Sequence, residues 1–391
     1  MKKISALLLI YLSSSGLQAQ SFIQAYKNRA DQVSQTNITS MLQDFQNLGV
    51  KTTGSTANTN TLDWLKAKYQ SYGYAASQIT EDPFTFGSNV SSKNLIITKT
   101  GTLYPNIYVI ICGHYDTIIG PGVSDNGSGT SIILEAARIL KDIPTEYSIK
   151  FIHFSGEEQG MQGSGHYVDN VLFQNSVRQF STRVVFNIDQ VGGKLGNTNN
   201  AIKCESDQAG LSSNNAQSLS FTQQLATCTG LYSPLQTVMS NAYSSDYVPF
   251  EQKGDIITGF YENVRSYNEH TVNDTFANVD PAYVYNVGKA AVGALQHFAT
   301  ASTNLLATDE VKQNPLESVK IYPNPAKDYL QIELPKTVNN FNLELSDMSG
   351  RLILNRENET QVNVSDVADG AYIATVKSDG KTAVRKVIIA K

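Results

Sequence analysis

The sequence predicts an α/β fold, a mixed and mostly parallel sheet flanked by helices, followed by a small all-β sandwich. Three short, continuous apolar runs separated by other patterns predict the first part. They are Ile107-Tyr108-Val109-Ile110-Ile111-Cys112, Lys150-Phe151-Ile152-His153-Phe154 and Arg183-Val184-Val185-Phe186-Asn187-Ile188. A strand that is apolar at nearly every position must be covered on both faces, as parallel sheets are and half-solvated sheets are not. A change of texture from about residue 318 predicts the second part, because short alternating runs there end in turn residues.

Taken in order, the chain opens on Lys2-Lys3, an apolar stretch centred on Ala6-Leu7-Leu8-Leu9-Ile10, and Leu17-Gln18-Ala19-Gln20. That order reads as a secretory signal peptide over residues 1–19, cleaved after Ala19. Residues 21–80 look helical and sheet-edge, with Trp64, Leu65 and Tyr69 spaced for one apolar face. Asn94-Leu95-Ile96-Ile97-Thr98, with Gly101 beyond, reads as one arm of a hairpin that returns as the strand before His114. Ser124-Asp125-Asn126-Gly127-Ser128-Gly129 is a glycine-rich turn opening a helix, since Ile132, Ile133, Ala136, Ile139 and Leu140 follow at helical spacing. Asp280 to Thr300 is helical through Val284, Val287, Ala291 and Leu295, which closes a domain over residues 20–300. Residues 301–317 lose the pattern and form a linker.

In the segment 318–391 each strand signal meets its own turn. Ile321-Tyr322 precedes Pro323-Asn324-Pro325, Leu330-Gln331-Ile332-Glu333-Leu334 precedes Pro335, and Leu343-Glu344-Leu345 precedes Met348-Ser349-Gly350. Tyr372-Ile373-Ala374-Thr375-Val376 leads to Asp379-Gly380, a hairpin signal whose return strand ends in Val387-Ile388-Ile389. This part has no His, no Cys and no acidic cluster suited to a metal.

Composition bounds the function. With 41% hydrophobic and 17% charged residues, the 391-residue chain is long enough for one large and one small core. A net charge of −5 and a pI near 5.6 argue against nucleic acid or an anionic membrane surface as the main partner. No apolar run approaches the roughly 20 residues of a transmembrane helix. Three cysteines allow one disulfide in three pairings. Cys112 falls in a central strand and reads as a buried thiol, leaving Cys204 and Cys228 as the pair that export would permit.

The chemistry sits where the three apolar runs end. His114 follows the first, Glu157 and Glu158 the second, and Asp189 closes the third. Asp125 lies in the glycine-rich turn, and His270 opens His270-Thr271-Val272-Asn273-Asp274-Thr275. Sites in open α/β sheets lie beyond the carboxyl ends of strands, so these deliveries agree with one another. Two imidazoles (His114, His270) and three carboxylates (Asp125, Glu158, Asp189) suit a pair of zinc-like ions. Glu157 is then left to take the proton of an attacking water. Any one of these alone would ordinarily be a loop residue; together they converge on one edge of the sheet. His153 reads as a packed core residue, His166 as a residue of the helix after the Glu pair, and His297 as part of a late helix. Glu262, Glu269 and Asp274 lie near His270 in sequence and read as structural or solvated.

The motifs Cys112-Gly113-His114-Tyr115-Asp116, Ser124-Asp125-Asn126-Gly127-Ser128-Gly129, Gly156-Glu157-Glu158-Gln159-Gly160, Asn187-Ile188-Asp189 and His270-Thr271-Val272-Asn273-Asp274-Thr275 stand in one order. In that order, over about residues 45–300, the chain resembles the M28 family of co-catalytic zinc aminopeptidases, with their phosphorylase/hydrolase-like exopeptidase fold. The resemblance implies one zinc ion on His114 and Asp189, a second on Glu158 and His270, and Asp125 bridging them. It implies that Asp116 hydrogen-bonds the far ring nitrogen of His114, and that the Asp125–Asn126 peptide is cis. It implies a tyrosine at the oxyanion. Some members carry that tyrosine where this chain has Glu269, and others just ahead of a Ser-Asp pair, which makes Tyr243 the candidate with Tyr247 behind it. The implied activity is removal of N-terminal residues from peptides by zinc-activated water, with Glu157 as general base.

Rivals on the same fold are a single-zinc glutaminyl cyclase, a carboxypeptidase and a non-catalytic binding ectodomain. The cyclases carry a Trp-containing insertion after the Glu pair, whereas here Gln159-Gly160-Met161-Gln162-Gly163-Ser164 runs straight on and Trp64 is the only Trp. An ectodomain would have lost ligands, and none is lost. The last 74 residues resemble the C-terminal sorting domain of type IX secretion in Bacteroidetes, with Tyr322-Pro323-Asn324-Pro325 near the start and Gly350-Arg351 midway. That implies secretion machinery as a partner, alongside peptide substrates, and a secreted or cell-surface location. A carbohydrate- or protein-binding module is the alternative.

Overall fold

A computed structural model describes residues 21–208, 211–304, 316, 319–335, 338, 340–347, 351–378 and 381–391. The signal-peptide residues, most of the linker and the turns at Met348-Ser349-Gly350 and Asp379-Gly380 lie outside the described residues. The chain divides into two units, residues 1–305 and 306–391.

In the first unit α1 (Gln24–Ala30), α2 (Gln35–Asn47) and α3 (Thr56–Ser71) precede β1 (Ile79–Phe86), β2 (Val90–Lys99) and β3 (Tyr104–His114). Then come α4 (Gly129–Leu140), β4 (Tyr147–Phe154), α5 (Gln162–Tyr167), the short β5 (Phe173–Gln174) and β6 (Val177–Arg178), and β7 (Ser181–Ile188). β8 (Ala201–Ser206), α6 (Asn215–Tyr232), β9 (Gln236–Asn241), α7 (Val248–Glu251), β10 (Ile257–Glu262) and α8 (Pro281–Phe298) complete it.

Eight strands form one sheet in the order β1-β2-β4-β3-β7-β10-β8-β9. The central β4, β3, β7 and β10 are mutually parallel, so their carboxyl ends share one edge. Side chains alternate across this sheet. Val109, Ile111, Ile149, Phe151, Val184 and Phe186 enter the core built with α1–α4, α6 and α8. Ile110, Cys112, Ile152, Phe154 and Val185 enter a smaller core with Tyr167, Tyr247 and Phe250 on the other face. Burial on both faces is what made the runs continuous in sequence.

One expectation is corrected, and one open pairing is answered. The strand at Asn94–Thr98 does not form a hairpin with the strand before His114. It belongs to β2, which pairs antiparallel with β1 and with β4, while β3 lies one strand further in, between β4 and β7. β3, apolar on both faces, is buried by neighbours distant in sequence, and the local pairing goes to β1. β1 carries Pro83, which is tolerated because β1 is an edge strand with no ladder bond to lose on its free side. Cys204 and Cys228 are not joined. All three cysteines are free and buried. Burial raises the pKa of the Cys204 and Cys228 thiols, so they pack as protonated apolar groups rather than reactive thiolates.

In the second unit β11 (Lys320–Tyr322), β12 (Tyr329–Glu333), β13 (Asn342–Asp347), β14 (Leu352–Glu357), β15 (Gln361–Asn363), β16 (Gly370–Ser378) and β17 (Lys381–Ile389) make two antiparallel sheets, β11-β12-β15 and β14-β13-β16-β17. Leu330, Ile332, Leu343, Leu345, Val376 and Val387 fill the core between them. Among the described residues no helix is long and apolar enough to cross a membrane.

Candidate metal centre

His114, the last residue of β3, is buried at the carboxyl edge of the sheet. Its Nδ1 lies 3.1 Å from the main-chain carbonyl of Asp116, so a proton held there turns the Nε2 lone pair to the cavity. The Asp116 carboxylate, expected to do this, stands 3.7 Å from Nδ1. It accepts instead from the backbone N–H groups of Glu157 and Glu158 at 3.2 and 3.3 Å and from the Thr53 hydroxyl at 3.2 Å. Asp116 therefore pins the turn after β4 that carries the Glu pair.

Asp125 lies between both histidines. His114 Nε2 is 3.1 Å from one of its oxygens, and His270 Nε2 is 3.1 Å from the other. Asp189 reaches His114 Nε2 at 3.3 Å, and Glu158 reaches His270 Nε2 at 2.9 Å. The result is two donor groups, His114-Asp125-Asp189 and Asp125-Glu158-His270, each with its ligand atoms within 4.8 Å of one another. All five predicted residues thus meet at one place, and Glu157 lines the same cavity.

The turn holding Asp125 is fixed from several sides. Asp274 accepts the N–H groups of Ser124 and Asp125 at 2.7 and 2.9 Å. Gln190 donates to Asp125 Oδ2 at 2.8 Å, and Asn126 donates to the Ile188 carbonyl at 2.8 Å. The Asp125–Asn126 peptide is cis, as the motif implied. Gly129 is required by close approach, since a Cβ there would lie 2.3 Å from the Ile188 carbonyl oxygen. Asp189 is oriented by the Ser245 hydroxyl, which donates to Oδ2 at 2.7 Å.

The tyrosine candidates separate. Tyr243 lines the cavity with its hydroxyl 3.5 Å from Asp189 Oδ2, whereas Tyr247 is buried and donates to Glu205 at 2.9 Å, outside the cavity. Burial of the Tyr243 hydroxyl end beside Asp189 and Glu205 pushes the phenol well above its ordinary range, so it keeps its proton. His153 is a packed core residue accepting from Tyr69 or donating to it at 2.8 Å. His166 sits on α5 against Asp82, and His297 on α8 against Tyr232. Glu262 accepts from the backbone of Gly193 and Ser266, and Glu269 pairs with Arg265.

The charge set fits divalent cations. Burial, with Asp189, Asp246 and Asp125 close by, raises Glu157 to about 10, and burial with Asp125 raises Glu158 to about 8. Burial opposes ionisation of Asp125 too, but the two histidines hold its carboxyl below the ordinary range. The Asp125 contact in turn raises His270 to about 9. Glu157 and Glu158 are thus pushed toward their neutral forms, while Asp125 stays ionised between two imidazoles that favour their protonated forms. Nitrogen and oxygen donors in two groups of three, sharing a carboxylate, are a donor set that zinc accepts.

The cavity in front of this cluster holds about 600 Å³. Its far wall was not foreseen from the sequence: Lys203 and Glu205 of β8, Tyr261 of β10, and Arg265. Nothing in their local sequence marks them, because strand pairing brings them to the site. Gln190 and Ser245 carried a weak signal, Gln190 lying next to Asp189 and Ser245 two residues after Tyr243.

An α/β sheet with such a cluster at its carboxyl edge places the chain in the class of α/β metallopeptidases. Residues 94–295, just over half the sequence, match peptidase family M28, and the chain belongs to that family. Residues 320–390 match the secretion system C-terminal sorting domain. The chain is 44% identical over 108 residues to the aminopeptidase YwaD of Bacillus subtilis, covering 27% of this chain and 23% of that protein. It is 28% identical over 192 residues to a probable zinc metalloprotease of Pyrenophora teres, covering 42% and 38%. The chain therefore spans less than half the length of these relatives. The LapA aminopeptidase of Legionella pneumophila shares the fold with a TM-score of 0.64 at 20% identity, over 78% of this chain and 81% of that one. The glutaminyl cyclase of Porphyromonas gingivalis does so with a TM-score of 0.55 at 18% identity, over 68% and 98%.

Proposed function

We propose that the protein is an exported zinc aminopeptidase that removes N-terminal residues from peptides. The observation that carries this reading is the shared carboxylate, Asp125, with a different imidazole at each oxygen. His114 and Asp189 would hold one zinc ion, Glu158 and His270 a second, with Asp125 between them. Two bound zinc ions supply Lewis-acid polarisation of the scissile carbonyl and acidify water. Glu157 belongs to neither donor group and lines the cavity, so its carboxylate is placed to take the proton of the attacking water and return it to the departing amine. Tyr243, kept protonated, donates toward the charge that develops on the carbonyl oxygen.

Two donor groups rather than one favour hydrolysis over cyclisation at a single zinc. The sorting domain supports export, and a signal peptide over residues 1–19 with passage by type IX secretion completes that reading. The catalytic domain would then span residues 20–300, with a linker over 301–317 and the sorting domain over 318–391.

The test is a panel of aminoacyl amides, N-blocked peptides and glutaminyl peptides, with the mature protein before and after dialysis against a chelator. Amides with a free α-amine should be cleaved and blocked ones spared. Activity should vanish on chelation and return with zinc, while the circular dichroism holds. Full activity in a verified metal-free sample overturns the proposal, and cyclisation without hydrolysis transfers the chain to the cyclases.

A further inference from the structure

The far wall of the cavity is a small platform of strand residues. β8 and β10 pair antiparallel with Lys203 opposite Tyr261, so both side chains stand on one face, and Glu205 follows two residues on. Ser240 of β9 pairs with Glu205 in the parallel register and extends the same face. Tyr243 meets Tyr261 edge to face, with ring centroids 4.9 Å apart, and joins this platform to Asp189. The platform and residues of the donor cluster thus line a single cavity.

Its charges are unequally satisfied. Arg265 is paired with Glu269 at 2.5 Å. Glu205 has its Oε2 taken by the Tyr247 hydroxyl at 2.9 Å, and burial raises it to about 8. Lys203 extends its ammonium over the Tyr261 ring, 4.9 Å from the centroid; its charge acts on Glu205 nearby, but it makes no close ion pair with a carboxylate among the described residues. A cation half-buried on an aromatic face, in a cavity wall and with no close ion-pair partner among the described residues, is placed to receive one from a ligand.

We propose that Lys203 selects substrates that carry a carboxylate away from the scissile bond, an inference that rests on the aminopeptidase reading. Two parts of a peptide supply that chemistry: an acidic first side chain, or the C-terminal carboxylate of a dipeptide. Tyr261 would pack against the adjoining carbon chain while the ammonium takes the charge.

The experiment compares kcat/KM within two isosteric pairs, glutamyl against glutaminyl amide and Leu-Gly against Leu-Gly-amide. Calorimetry of L-glutamate against L-glutamine binding adds a readout independent of turnover. The charged member of at least one pair should be favoured by about 3- to 10-fold, the size of a partly desolvated charge contact. Which pair responds identifies the source of the carboxylate. Lys203→Met should bring the ratio to about one, Lys203→Glu should invert it, and Lys203→Arg should keep it. Hydrolysis with equal rates in both pairs, or a ratio that survives Lys203→Met, overturns this proposal alone. No hydrolysis of any amide by the zinc-loaded protein removes the aminopeptidase reading, and this inference with it.

Discussion

The carboxylate of Asp274 receives the main-chain N–H of Asp125 at 2.9 Å and that of Ser124 at 2.7 Å, from 149 and 150 residues away in sequence. The loop that carries His270 is thereby tied to the turn that carries Asp125, so two of the three members of the second donor group are not placed independently. Asp274→Asn replaces one acceptor oxygen by an NH2 group facing an N–H. Zinc affinity, measured by competition with a chromophoric chelator, should fall by about 10- to 100-fold, as for other groups that orient ligands. Unchanged affinity would mean that the two loops are held independently.

Glu157 and Glu158 should fail in different ways although they are neighbours. Glu157→Gln keeps the shape but removes the base, so turnover should fall by at least about 100-fold with zinc content kept. Glu158→Gln removes a carboxylate 2.9 Å from His270, so zinc content should fall and activity should partly recover in excess zinc. Measuring kcat and bound zinc for both decides the matter, and the opposite pattern reverses the roles.

Acid stability should depend on His153. Burial drives its imidazole down to about 3, so in the folded chain it stays neutral where the unfolded chain, near 6.5, binds a proton. The unfolded state is therefore favoured progressively as pH falls from about 6.5 towards 3, by up to about 1.4 kcal/mol per pH unit. His297, lowered to about 4 by burial, adds to the slope at the upper end of that window. His153→Gln keeps a partner for the Tyr69 hydroxyl and removes the titration. Urea unfolding between pH 4.5 and 7.5 should show a shallower acid dependence by about one proton. Parallel slopes for wild type and variant would show that His153 does not titrate on unfolding.

Catalysis should survive loss of the β-sandwich. The two units have separate cores, and the donor clusters lie wholly in the first. A chain ending near Asn304 should cleave aminoacyl amides at close to the full-length rate and fail to be exported. A collapse of kcat/KM with folding intact would make the second unit part of the active site.

The sequence by itself determined the parts whose causes are local. Continuous apolar runs marked the buried strands. Helical spacing after Gly129 marked the helix that follows the Asp125 turn. The residues just past those strands supplied the donor set, because a parallel sheet delivers its carboxyl ends to one edge. What only the tertiary structure decided depends on pairing between distant segments. β4 inserts between β2 and β3, which displaced the expected hairpin and leaves β1 as the partner of β2. The Asp116 carboxylate turned from His114 to the two N–H groups after β4, a choice set by which donors burial leaves without water. The Lys203–Tyr261 wall comes from a cross-strand register between residues 58 positions apart, and no local pattern encodes such a register.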